Sequence, residues 1–147
     1  MKPAPKNWPR MSASAYYQDA NAAIEWLCKA FGWEVRLKVD GEGGSVEHCE
    51  LVFGESVIMV GDEKRQKDQN RMFRSPKSVG GVNTQGMMFY VDDVDAHCAR
   101  ARAAGATITY EPKVSDYGEE YWSDKSYQAQ DPEGHLWWFC ERLKGFL

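Results

Sequence analysis

The sequence of 147 residues lacks the features of several specialised protein classes. Its four cysteines are far apart and form no Cys-x-x-Cys pair, which excludes a zinc-knuckle motif and a small disulfide scaffold. No apolar run approaches the ~20 residues of a membrane span, and the first ten residues hold no hydrophobic segment of the signal-peptide type. We therefore expect a reduced, cytoplasmic protein that has no membrane partner.

An excess of positive charge is also lacking. The 18 lysines and arginines are outnumbered by 22 aspartates and glutamates, so the net charge is −4, which argues against nucleic acid as a partner. The one basic-leaning region, 64–77, contains Asp68 and is broken by Ser75-Pro76, and we interpret it as a solvated connector. Hydrophobic residues make up 43% of the chain, enough for one compact domain with a true core.

The main positive feature of the sequence is an internal repeat. In each half an aspartate, Asp19 or Asp93, follows a strand pattern and is placed to cap a helix that ends at a glycine, Gly32 or Gly105. Three more strand patterns follow each helix, and Met59 in the first half corresponds to Trp138 in the second. The predicted strands are 11–17, 34–39, 46–53 and 57–60, then 87–91, 106–110, 121–130 and 136–140, with the second helix at 94–104.

The repeat predicts an α+β fold of two tandem βαβββ modules. We place the modules at about 10–61 and 84–142 of a single domain spanning 1–147, with a linker at 62–83. A helix that covers one face of each small sheet leaves the other face open. Two open faces brought side by side would form a shared cleft around a curved mixed sheet, and small ligands usually bind in such clefts.

Two motifs carry a family resemblance. Asp-Val-Asp-Ala at 93–96 opens a helix that closes with Ala-Gly-Ala at 104–106, and Asp-Pro-Glu-Gly-His at 131–135 precedes a Trp-x-Phe strand. With the segments YYQDANAAIEWLCKAFGW and HCELVFGESVIMVGD, they resemble the vicinal oxygen chelate superfamily over residues 12–141. That superfamily includes glyoxalase I, bleomycin-resistance proteins and extradiol dioxygenases. The resemblance implies paired βαβββ modules and a homodimer.

The resemblance also implies four positions for the ligands of a divalent metal, on the first and last strands of each module. Enzymes of the family carry His, Gln or Glu there. In this sequence the positions are Ser12, Met59, Gly86 and Trp138, which are poor ligands for a hard divalent ion. A shift of one residue would recover only Gln85. We therefore expect no metal and no other cofactor.

Strand alternation places these positions and their i+2 neighbours on the cleft face. Aromatic rings suit planar or cationic ligands, and methionine fits irregular gaps. The alternative is that the same side chains fill the space between the modules. The predicted ligand-binding residues are Ser12, Ser14, Tyr16, Met59, Met88, Tyr90 and Trp138.

His48 and Glu50 are the imidazole–carboxylate pair that we predict on a cleft face. An imidazole that titrates near neutral pH can act as a general acid or base, so these two are the candidate catalytic residues. The alternative is a structural polar pair at the wetter margin of the sheet. We expect His97 at or near the surface and His135 in local hydrogen bonds of its turn.

Three classes of function remain open. The first is a glyoxalase/bleomycin-resistance-like protein that binds a small aromatic or cationic molecule without a metal. The second is a metal-dependent lyase, isomerase or dioxygenase with atypical ligands such as His48 and Glu50. The third is a non-catalytic interaction module whose cleft is filled. The missing ligands favour the first, and therefore a protein that is not an enzyme.

Overall fold

The computed structural model describes residues 1–65 and 72–145. The chain divides into two compact units, residues 1–81 and 82–147. Each unit contains one strand, one helix and three further strands in that order, so the predicted repeat and its α+β class are confirmed. The predicted linker, 62–83, includes residues 66–71, which lie outside the described residues.

The first unit is a four-stranded sheet with one long helix. The sheet order is β1-β4-β3-β2, with β1 parallel to β4 and the other neighbours antiparallel. Short 3₁₀ helices lie at Glu42–Gly44, Glu63–Arg65 and Pro76–Val79. The main elements are β1 (Ala13–Tyr17), α1 (Ala20–Phe31), β2 (Glu34–Asp40), β3 (Val46–Phe53) and β4 (Ser56–Asp62).

The second unit repeats this arrangement. Its sheet order is β5-β8-β7-β6, with β5 parallel to β8 and the other neighbours antiparallel. The elements are β5 (Met87–Tyr90), α2 (Val94–Ala103), β6 (Thr107–Asp116), β7 (Ser123–Gln130) and β8 (Leu136–Lys144).

Both helices begin where the sequence predicts, and α2 ends one residue before its predicted end. The Asp19 side chain accepts a hydrogen bond from the backbone N–H of Ala22 at 3.0 Å, and Asp93 accepts one from Ala96 at 2.9 Å, which satisfies donors that a helix start leaves free. Gly32 ends α1 in the left-handed conformation, with φ of 81°. The predicted apolar stripe of α1 is buried, with Ala23, Ile24, Leu27, Ala30 and Phe31 all below 9% exposure.

The helix-covered face of each sheet forms the core of its unit. Alternate residues of a strand point to opposite faces, and the buried set alternates accordingly: Ala15 with Tyr17 and Ile58 with Val60 in the first unit. In the second unit, Trp137 and Phe139 are almost completely buried, as predicted. All four cysteines are free thiols. None of the helices in the described residues is long and apolar enough to cross a membrane.

Several strands differ from their predicted bounds. β1 begins at Ala13 instead of Met11, so Ser12 precedes it, whereas β5 begins at Met87 as predicted, after Gly86. β6 continues to Asp116 instead of ending at residue 110, although it contains Pro112. A proline is tolerated on an edge strand, and the pairing of β6 with β7 shifts register between Tyr110 and Lys113.

A buried aspartate organises the turn before the last strand. Asp131 is 5% exposed, and its Oδ1 accepts hydrogen bonds from the backbone N–H groups of Glu133 and His135, both at 3.0 Å. Its Oδ2 accepts a third from the indole of Trp137 at 3.1 Å. The turn therefore anchors the largest buried side chain of β8.

The two sheets carry equivalent rows of residues on their open faces. In the first sheet, Ser14 pairs with Met59, Met59 with Glu50, and Glu50 with Leu37. In the second sheet the same four positions are Met88, Trp138, Gln128 and Tyr110. This register supports the correspondence of Met59 with Trp138 that the sequence predicts.

Candidate functional site

The open face of the first sheet carries a cavity of about 270 Å³. β1 contributes Ser14 and Tyr16 to its lining, β4 contributes Met59 and Gly61, and β3 contributes His48. The strand register brings these residues to one side of the sheet, since side chains two residues apart point the same way.

Tyr16 occupies the space that Gly61 leaves open. A Cβ at Gly61 would lie 2.5 Å from Cε1 of Tyr16, so any larger residue would displace the ring. Tyr16 also stacks with Phe73, with ring centroids 4.7 Å apart and an angle of 8° between the planes. A glycine on β4 and an aromatic residue from beyond the strand therefore position one wall of the cavity.

His48 and Glu50 form a hydrogen bond, since residues i and i+2 lie on the same face of β3. Nε2 of His48 lies 2.8 Å from Oε1 of Glu50. Glu50 is 7% exposed, whereas the His48 side chain is 41% exposed. The buried carboxylate is thus covered by an imidazole that faces the cavity.

Arg36 holds the other oxygen of Glu50. Its Nε and Nη2 lie 2.8 and 2.7 Å from Oε2. The hydrogen bond with His48, together with the Arg36 guanidinium, holds the pKa of the Glu50 carboxyl below its usual value despite burial. Glu50 is therefore a carboxylate at neutral pH.

A turn near the N-terminus binds the Arg36 guanidinium. Nη1 of Arg36 donates to the backbone carbonyl of Asn7 at 2.6 Å, and the guanidinium lies 4.3 Å from the centre of the Trp8 ring, within cation–π range. Asn7 has a left-handed φ of 64°, and the turn is closed by a hydrogen bond from Trp8 to Pro5. A continuous series of contacts therefore links this turn to the cavity.

Acidic groups also line the cavity. Asp62 is 7% exposed and accepts hydrogen bonds from the backbone N–H groups of Val46 and Lys64, at 3.2 and 3.0 Å. It forms no ion pair with any residue of the described ranges. Glu47, which also lines the cavity, pairs with Arg65.

The open face of the second sheet is aromatic. Met88 and Tyr90 are 53% and 48% exposed, and Trp138 packs against Tyr110 with ring centroids 5.3 Å apart. The Tyr90 hydroxyl bonds Arg142, whose guanidinium also lies over the Trp122 ring at 5.3 Å and bonds Asp124 at 2.5 Å.

The predicted ligand-binding residues therefore fall into three groups. Ser14, Tyr16 and Met59 line the cavity of the first unit. Met88, Tyr90 and Trp138 lie on the equivalent face of the second sheet. Ser12 is not among the lining residues, and its hydroxyl donates to the Val57 carbonyl at 2.7 Å. The cleft shared between the modules stays a prediction.

One histidine makes contacts that the sequence did not predict. His97 is half-buried, with Nδ1 2.6 Å from the Tyr127 hydroxyl and its ring 4.3 Å from that of Phe139. It lies near the surface, as expected, and packs against aromatic side chains of β7 and β8. His135 is 3% exposed and its backbone N–H bonds Asp131, within the turn.

Sequence reasoning did not identify Arg36, Gly61, Phe73 or Asp62 as parts of the site. A signal for Arg36 existed, because Arg36 lies on the strand next to that of Glu50 and a carboxylate that becomes buried requires a cation. The register shift between Val35 and Leu37 directs Arg36 towards Glu50, and strict alternation does not foresee it.

The residues at the four metal-ligand positions do not fit a divalent ion. Ser12 uses its hydroxyl for Val57, Trp138 packs on Tyr110, and neither a thioether nor a glycine is a ligand for hard cations. Glu50 gives both oxygens to His48 and Arg36. Within residues 1–65 and 72–145 no three His, Cys, Asp or Glu side chains are grouped as a metal site would require.

Paired βαβββ units with an open sheet face define the fold class. The Glyoxalase/Bleomycin resistance protein/Dioxygenase superfamily model matches residues 12–139. The chain belongs to this family.

Three known proteins illustrate the similarity. An uncharacterized protein of Mycobacterium bovis is 31% identical over 129 residues, which cover 88% of this chain and 80% of the relative. The crystal structure of TioX from Micromonospora sp. ML1 is 28% identical, covers 92% of this chain and 99% of its own, and superposes with a TM-score of 0.69. TnmS3, an antibiotic binding protein from Streptomyces sp. CB03234, is 17% identical, covers 89% and 93%, and has a TM-score of 0.62.

Proposed function

We propose that this protein binds a small aromatic or cationic molecule, without a divalent metal, in the cavity on the open face of the first sheet. The observation that carries the proposal is the combination in one cavity of an aromatic wall, Tyr16, with the buried carboxylate of Asp62, which forms no ion pair within residues 1–65 and 72–145. A flat ring can pack against the edge of Tyr16, whose faces lie over Gly61 and against Phe73, and a cation gains from the carboxylate.

The volume of the cavity limits the ligand. About 270 Å³ is slightly below the ~300–1,000 Å³ of usual small-molecule pockets. It therefore suits a small molecule or one substituent of a larger one. Met59 adds an unbranched, adaptable side chain to the lining, which suits ligands of irregular shape.

The similarity to TnmS3, an antibiotic binding protein, agrees with a binding role. At 17% identity that similarity concerns the fold alone, so the chemical argument depends on the cavity of this chain.

Binding is tested by isothermal titration with a panel of aromatic amines and glycopeptide antibiotics, preceded by a thermal-shift screen. Tyr16→Ala is expected to weaken binding of any hit by on the order of tenfold, since an edge-to-face aromatic contact is worth about 0.5–1.5 kcal/mol. Tyr117→Ala, which removes an exposed tyrosine of the other unit, is the matched control. Failure of every compound in a broad panel would contradict the proposal.

The absence of a metal is tested separately. Elemental analysis of protein purified without chelator is expected to find no stoichiometric divalent ion. A stoichiometric ion would contradict the proposal and would favour the alternative of a metal-dependent lyase, isomerase or dioxygenase.

Acid–base catalysis is the second candidate function, favoured by the hydrogen bond between His48 and Glu50 at the cavity. It would require turnover of a bound compound that is lost in His48→Gln while binding persists. Binding without turnover supports the first proposal.

The homodimer implied by the family remains a prediction. Sizing chromatography with light scattering checks it, and a monomer mass at micromolar concentration would contradict it.

A further inference from the structure

The geometry around Glu50 determines which nitrogen of His48 carries the proton. A carboxylate is only an acceptor of hydrogen bonds, so the contact of 2.8 Å between His48 Nε2 and Glu50 Oε1 requires a proton on Nε2. A neutral imidazole has one N–H and one bare nitrogen. Nδ1 is then the bare nitrogen, and it bonds no residue of the described ranges.

We infer that neutral His48 is held as the Nε2–H tautomer, and that the cavity selects ligands that offer Nδ1 a hydrogen-bond donor, a hydroxyl or a protonated amine. The ligand class rests on the proposed binding function. The tautomer does not, because it is a property of the protein without ligand. Arg36 and Glu50 act through His48 and are positioning residues.

The charge on Glu50 is what fixes the direction of this hydrogen bond. If Glu50 were protonated, its O–H could donate to the imidazole and the opposite tautomer would form. Arg36 prevents this with two N–H groups on Oε2, and the lowered pKa of Glu50 agrees with it. The same logic orients histidine in catalytic and metal sites, where the partner of one ring nitrogen determines the state of the other.

The turn at Pro5 to Trp8 secures the guanidinium from the far side. The Asn7 carbonyl uses Nη1, and the Trp8 ring covers the guanidinium plane. Every N–H-bearing nitrogen of Arg36 therefore has a partner, and its orientation towards Glu50 is restricted.

Long-range ¹H–¹⁵N correlation spectra of ¹⁵N-histidine-labelled protein test the tautomer directly. At a pH high enough that the histidine signals no longer change on adding base, His48 is expected to show a protonated Nε2 and an unprotonated Nδ1. A spectrum with the proton on Nδ1, or with averaged shifts of a tautomer mixture, overturns the inference. The chain has only three histidines, so assignment by His48→Gln is simple.

Glu50→Gln serves as the matched variant. A glutamine amide can donate as well as accept, so the single tautomer of His48 is expected to give way to a mixture. The signals of His97, which bonds Tyr127 in the other unit, should not change. Persistence of the pure Nε2–H form in this variant would show that Glu50 does not determine it.

Ligand selection is tested with tyramine and its fully methylated analogue. The analogue keeps the ring and the positive charge but has no N–H or O–H group. Tyramine is expected to bind on the order of tenfold more tightly, and the difference should vanish in His48→Ala. Equal affinities in the wild type overturn donor selection. If neither compound binds, the proposed function loses support, while the tautomer is decided by the spectra alone.

Discussion

The equivalent rows on the two sheets carry different side chains at corresponding backbone positions. The third position of the row is Glu50 in the first sheet and Gln128 in the second. Glu50 is ionised and bonded by His48 and Arg36, whereas the Gln128 amide oxygen accepts a hydrogen bond from Thr109 at 2.9 Å. The repeat thus preserves strand register and helix caps and leaves the open face free to differ.

Two equivalent tyrosines show the same divergence. Tyr16 pairs with Gly61 and its ring lies over the glycine, while Tyr90 pairs with Cys140 and bonds Arg142. The cavity of the first unit depends on the absence of a side chain at Gly61. A charged side chain holds the ring in the second unit.

The turns before the last strand also differ between the units. A substitution in one of these turns is expected to have the largest effect on stability. In the first unit Gly54 and Glu55 make a short turn between β3 and β4, whereas in the second Asp131 bonds three groups. Asp131→Ala is expected to lower the free energy of unfolding by about 2–4 kcal/mol, since three buried donors lose their acceptor. Chemical denaturation measures this. Glu55→Ala, at an exposed position, should change it by less than about 0.5 kcal/mol, and equal losses would contradict the comparison.

Gly61→Cys gives the first unit the residue of the second. The new Cβ would lie 2.5 Å from the Tyr16 ring, so the ring must leave its position. We expect a loss of about 1–3 kcal/mol and loss of ligand binding, measured by denaturation and titration. Gly86→Cys is the control, because no atom lies within 4 Å of a Cβ there. Unchanged binding in Gly61→Cys would show that Tyr16 does not form the wall of the site.

Glu50→Gln makes the first row resemble the second in charge. A loss of about 1–2 kcal/mol at pH 7 is expected, because the hydrogen bonds to charged partners weaken. The pKa of Glu50 is lowered in the folded protein, so its stabilisation is complete above the unfolded pKa of about 4.3 and is lost as the pH falls through the folded value.

The difference in unfolding free energy between Glu50→Gln and the wild type should therefore narrow below about pH 4. Glu34→Gln, at an exposed position of β2, is the control and should show no such pH dependence. A difference that stays constant with pH would mean that the charge on Glu50 contributes nothing to the free energy of unfolding.

The reciprocal change, Gln128→Glu, should have the smallest effect. The Thr109 hydroxyl can still donate to a carboxylate, and the site is only partly buried. We expect a change below about 1 kcal/mol and no change in ligand affinity at the first unit. A loss of unfolding free energy as large as that of Glu50→Gln would mean that both positions tolerate a change of charge equally poorly.

The fold was predictable because its determinants are local. Asp19 and Asp93 cap helices through bonds to residues three positions ahead, and strand alternation correctly placed Trp137 and Phe139 in the core. The end of β6 was predicted too early: the strand continues through Pro112 to Asp116, which is tolerated because β6 is an edge strand.

The site was only partly predictable because its determinants are distant in sequence. Tyr16 and Gly61 meet through the parallel pairing of β1 and β4, and Arg36 reaches Glu50 through a register shift. The contacts of Asn7 and Trp8 with Arg36 have no local sequence signature. Residue types singled out His48 and Glu50 as candidate residues, but the hydrogen-bond partners of Glu50 other than His48 required the structure.

The buried free thiols of each unit can be used to measure how often that unit opens. Each unit contains two cysteines, Cys28 with Cys49 and Cys98 with Cys140. Burial raises the pKa of Cys49 to about 11 and also raises the pKa of Cys98 and Cys140, so these thiols are unreactive until the surrounding structure opens. The rate at which an alkylating reagent modifies each one under native conditions therefore reports the opening of its own unit.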